Sequence, residues 1–106
     1  MSAEPPASSP EAEAEAAATA RRTVTICNQK GLHARAAARF VKTAERFRAE
    51  ITVVRKDTVV SGLSIMGLMM LAAAPGATLD LRASGPEAEA ALDALAKLVA
   101  DKFDED

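Results

Sequence analysis

The chemistry this chain can perform concentrates in Gly31-Leu32-His33-Ala34-Arg35, which holds its single histidine. A neutral imidazole is a nucleophile, and with a reference pKa of about 6.5 it is largely neutral near pH 7, so it can attack phosphorus without a separate strong base. The residues after His33 carry a helical pattern, which places the histidine where backbone N–H groups lack partners and the helix dipole is positive. That is a ready site for an anion. Phosphoryl transfer asks mainly for positioning and charge stabilisation. The amides of Ala34 and Arg35, with the Arg35 guanidinium, can supply both. A lone histidine at a helix start also serves as an ordinary cap or surface residue, so the rest of the chain has to decide.

Other chemistries find little material. There is no second acid suited to catalysis, no metal-ligand cluster and no glycine-rich phosphate loop, which argues against an enzyme with a bound substrate. Cys27 is the sole cysteine and has no His or Cys neighbour at ligand spacing, so it is expected to be a small buried hydrophobe. No metal and no cofactor is expected.

The elements that must position His33 follow from hydrophobic periodicity. Thr23 to Cys27 alternates polar and apolar, as a half-buried strand does, and Asn28-Gln29-Lys30-Gly31 ends it. From Ala34 to Phe47, the residues Ala37, Phe40, Val41, Ala44 and Phe47 recur at helical spacing. Arg35, Arg39, Lys42 and Arg46 line another face of that helix, a pattern that plain solvation also explains. Glu50 to Val54 and Thr58 to Val60 are two strands joined by a hairpin-like turn at Arg55-Lys56-Asp57. Ser64 to Leu71 is a short helix with Ser64 at its N-cap, closed by Pro75-Gly76. Thr78 to Ala83 alternates again. Gly85-Pro86-Glu87 opens a last helix with Ala88, Ala91, Leu92, Leu95, Leu98 and Val99 as its inner stripe. The order β-α-β-β-α-β-α predicts an α+β fold, with a four-stranded antiparallel sheet covered on one face by three helices.

Composition sets the bounds. A chain of 106 residues has room for one domain. Residues 1–20 hold three prolines and four glutamates without a basic residue, and are expected to be a disordered or partly helical acidic tail, leaving 21–106 as the domain. The whole chain carries −2, so residues 21–106 carry +2, a balance that suits phosphate or an acidic protein partner and is too weak for duplex DNA. With no Trp or Tyr and three Phe, base-stacking recognition of nucleic acid is disfavoured. The apolar run from Leu63 to Ala74 falls short of the roughly 20 residues that cross a bilayer. The absence of a secretory leader pattern, with one cysteine, points to the cytoplasm.

The pentapeptide around His33 resembles the active-site motif of the histidine-containing phosphocarrier (HPr) family. The likeness continues through Phe40-Val41, Glu50-Ile51-Thr52-Val53 and Ser64-Ile65-Met66-Gly67-Leu68-Met69-Met70-Leu71, and spans essentially residues 23–103. It implies an open-faced β-sandwich and a monomeric carrier in bacterial sugar transport. Enzyme I, charged from phosphoenolpyruvate, would load the Nδ1 nitrogen of His33, which would unload to an enzyme IIA domain. Such a protein is a cycling reactant and not an enzyme. In two places the chain departs from the family: Ala36 stands where proline is usual, and Lys30 where a small polar residue often binds the phosphoryl group.

The resemblance also bears on the second helix. It implies regulatory phosphorylation of Ser64 by a dedicated ATP-dependent kinase, HPr kinase/phosphorylase, although N-capping alone accounts for a serine there. Partner docking through Ile65, Met66 and Met69 is implied as well, whereas their spacing alone suits a core stripe. The alternative function is a regulatory binding protein of a truncated or nitrogen-related phosphotransferase chain without sugar transport.

Overall fold

The computed structural model describes residues 20–105. Four strands carry the inner face of the core: β1 (Ala20–Thr25), β2 (Glu50–Arg55), β3 (Thr58–Ser61) and β4 (Thr78–Ser84). They form one antiparallel sheet in the order β1-β4-β2-β3. Alternation fixes the register, since a slip of one residue would turn every apolar side chain to the other face. With Val53 opposite Leu81 and Val24 opposite Leu79, these side chains and Ile51 are buried together.

Helices α1 (Ala34–Ala44), α2 (Ile65–Met70) and α3 (Ala88–Ala100) join the sheet in one hydrophobic core, followed by a single 3-10 turn at Lys102–Asp104. The inner stripe of α3 is buried at every expected position, and α1 buries Ala36, Ala37, Phe40 and Ala44. Three of the boundaries that differ from the periodic reading bear on the core. β1 begins at Ala20, assigned above to the tail, because Ala20 is buried and pairs with Ala83. It ends at Thr25, before Cys27. Helix α1 stops at Ala44, and Phe47 reaches the core through tight turns in which Arg46 and Phe47 donate to the Thr43 and Ala44 carbonyls. Apart from Ala20, the tail expected over residues 1–20 lies outside the described residues.

Cys27 corrects the sequence reading. It is exposed, because the alternation that buries Val24 and Ile26 turns residue 27 to the other side. Its thiol donates to the Val99 carbonyl at 3.3 Å. Among the described residues, no helix is long and apolar enough to cross a membrane.

Candidate functional site

The loop before α1 is shaped by Gly31. Its φ of +65° lies in the left-handed region, and a Cβ there would sit 2.4 Å from the Ala73 carbonyl oxygen, so only glycine fits. The same carbonyl accepts from Leu32 N–H at 2.9 Å, tying the loop to the segment that follows α2. His33 comes next, extended at φ −80°, ψ −179°, as the N-cap of α1. Its carbonyl accepts from Ala37 N–H at 2.8 Å, while its side chain makes no cap hydrogen bond. The imidazole is thereby not committed to capping the helix, and the first amides of the helix, at Ala34 and Arg35, have no intrahelical partner.

His33 is part-buried, with its side chain 27% exposed. It lines an open depression of about 290 Å³ together with Gln29, Lys30, Arg35, Arg39, Asp104 and Glu105. The structure therefore brings Lys30 and Arg35 to the same depression as the histidine and adds Arg39 from the next turn of α1. A larger depression of about 590 Å³, lined by Arg39, Lys42, Thr43, Glu45, Arg46, Leu98 and Asp104, lies between α1 and the C-terminal turn and does not include His33.

The acidic residues at this site were not anticipated. Glu105 Oε2 accepts from His33 Nε2, and Glu105 Oε1 accepts from the Asn28 side-chain amide at 3.1 Å. Asn28 is fully buried and also donates to the Gly31 carbonyl at 2.8 Å, so one side chain braces both the loop under His33 and the carboxylate against it. Burial of the Glu105 carboxyl works against its charge. The hydrogen bonds from His33 and Asn28, and the nearby charge of Lys30, outweigh that effect and hold it below the usual carboxylate range. Arg39 donates to the Phe103 carbonyl and fixes the turn that delivers Glu105. In sequence, residues 101–106 read only as an acidic end. The available signal was an acidic run after the last helix in a chain whose histidine lies among cations.

Ser64 is the N-cap of α2, and its hydroxyl accepts from Gly67 N–H at 2.9 Å. Ser64→Ala is expected to cost about 1 kcal/mol in urea denaturation; a loss below about 0.3 kcal/mol would show that the cap contributes nothing. Helices α1 and α2 are in contact. Ile65, Met66 and Met69 are all exposed, as are Leu63 and Met70, which the sequence did not single out. No group of three or more potential metal ligands occurs among the described residues.

An open-faced α+β sandwich with a solvent-facing histidine at a helix start defines a class of small carrier domains, and the comparisons with known proteins agree. The family model for the phosphorylation site of the phosphotransferase-system HPr component matches residues 20–101. Phosphocarrier protein NPr of Shewanella violacea is 50% identical over 84 residues, covering 79% of this chain and 92% of the relative. Phosphocarrier protein HPr of Neisseria meningitidis is 44% identical over 85 residues, covering 80% and 96%. The crystal structure of HPr-C-His from Thermoanaerobacter tengcongensis superposes with a TM-score of 0.79 at 41% identity, covering 83% of this chain and 99% of that one. The chain belongs to the HPr family and is a phosphocarrier of the phosphotransferase system.

Proposed function

We propose that residues 20–106 act as a cytoplasmic, monomeric carrier that takes a phosphoryl group from phospho-enzyme I on His33 Nδ1 and passes it to an enzyme IIA domain. The observation that carries this reading is the placement of the sole imidazole at the N-cap of α1, partly open to solvent and flanked by Lys30, Arg35 and Arg39. The cations and the amides of Ala34 and Arg35 attract the transferred group. Lys30 replaces the small polar contact usual in the family with a point charge.

Ile65, Met66 and Met69, widened by Leu63 and Met70, form the docking patch; methionine adapts its shape to successive partners. Phosphorylation of Ser64 by an HPr kinase/phosphorylase would place a dianion at the edge of that patch and weaken docking of an acidic partner. The similarity to an NPr protein favours, as a second reading, service in a regulatory, nitrogen-related chain without sugar transport.

The test is the intact mass of the full chain after incubation with phosphoenolpyruvate and enzyme I. One phosphoryl adduct is expected, lost in acid and kept in alkali. With enzyme I active and the protein folded, no adduct at all would sink the carrier reading.

A further inference from the structure

We propose that Glu105 is a positioning residue for His33, holding the neutral imidazole as the Nε2–H tautomer so that the Nδ1 lone pair faces the incoming phosphoryl group. This rests on the carrier reading given above and names a residue beyond the histidine and the cations around it.

A carboxylate accepts hydrogen bonds and donates none. Since Glu105 Oε2 is hydrogen-bonded to His33 Nε2, the proton between them belongs to Nε2, and the lone pair of the neutral ring is left on Nδ1. The carboxylate is itself held in place: Asn28 donates to its other oxygen from a fully buried position, and Glu105 N–H donates to the Lys102 carbonyl at 3.0 Å. The supporting turn is anchored by buried Phe103 and by Arg39 on the Phe103 carbonyl. The charged groups that line the depression with the ring are Lys30 from the loop, Arg35 and Arg39 from α1, and Asp104 and Glu105 from the C-terminal turn. Of the two carboxylates in that set, Glu105 is the one hydrogen-bonded to the imidazole.

The charge balance of transfer gives this contact a second effect. The Nδ1 lone pair forms the new N–P bond as the bond from phosphorus to the donor's leaving atom breaks, its electron pair staying with the donor. The proton remains on Nε2, so the ring gains positive charge as the N–P bond forms. Glu105 offsets that charge where it develops, as a buried carboxylate does for a catalytic imidazole in a hydrolase triad.

Because His33 is the single histidine, its ring nitrogens can be read directly in the full chain by ¹⁵N NMR above the imidazole titration range. The wild type is expected to show the Nε2–H tautomer almost exclusively. In Glu105→Gln and Glu105→Ala the share of the Nδ1–H tautomer is expected to rise several-fold, with unchanged melting behaviour. Phosphoryl acceptance from phospho-enzyme I should slow at least about tenfold, the loss of one charge-assisted hydrogen bond to the reacting ring. An unchanged tautomer ratio in both variants overturns the proposal, as does an altered ratio with an unchanged rate. The NMR measurement needs no partner. A wild type that takes up no phosphoryl group overturns the carrier reading separately, leaving the tautomer ratio to judge the role of Glu105.

Discussion

His33→Ala is expected to abolish uptake of the acid-labile phosphoryl group, by at least about a thousandfold, while the fold stays intact. The two halves of that expectation have separate causes. The backbone of residue 33 does the structural work, accepting from Ala37 N–H and donating to the Gly31 carbonyl at 2.9 Å, and alanine retains both bonds. The imidazole is part-buried and caps nothing, so its removal should change stability by no more than about 1 kcal/mol. Chemically there is no substitute nearby. The Cys27 thiol is on a different segment and bonded to the Val99 carbonyl, and the Ser64 hydroxyl is engaged by Gly67 N–H. Both are paired with backbone groups that cannot serve as a general base. Intact mass together with a melting curve checks both halves, and wild-type labelling of the variant would move the phosphoryl site elsewhere.

Much of this architecture was legible in the sequence because it is governed by local periodicity. The α3 stripe from Ala88 to Val99, the alternation of β4 and the Ser64 cap each follow from residues within one or two turns of each other. The cationic half of the site was legible for the same reason, since Lys30, His33 and Arg35 share one loop and one helix start. What escaped depends on long-range pairing. Ala20 to Arg22 resembles loop, yet Arg22 lies opposite Leu81 in the sheet and ion-pairs with Asp93 on α3. Cys27 departs from its expected burial because residue type suggests a small buried hydrophobe, whereas the alternation that buries Val24 and Ile26 turns it outward. Glu105 is 72 residues from His33 in sequence, and its acidic neighbours read as a solvated end; the buried Phe103 two positions earlier brings it back.

Phe103 is therefore the residue through which packing reaches the site, and Phe103→Ala is expected to cost about 3–5 kcal/mol. Its ring is completely buried, although its backbone is unfavourable for a phenylalanine: Lys102, Phe103 and Asp104 have φ of 57°, 56° and 61°. Three consecutive non-glycine residues in the left-handed region cost roughly 1–2 kcal/mol each, and the hydrogen bonds from Asp104 N–H to the Asp101 carbonyl and from Arg39 to the Phe103 carbonyl offset only part of that. Burial of the ring supplies the remainder. Without it the turn relaxes, and Glu105 withdraws from His33. Urea denaturation should show the stability loss. ¹⁵N NMR of His33 in the still-folded fraction should show the same tautomer change as Glu105→Ala, since both variants remove one carboxylate from one ring. Phe103→Leu, which keeps an apolar side chain of similar volume, should lose less than about 1.5 kcal/mol and keep the wild-type tautomer. A Phe103→Ala protein that loses the expected stability yet keeps the wild-type tautomer would show that Glu105 is held by Asn28 alone and that the strained turn serves only the core.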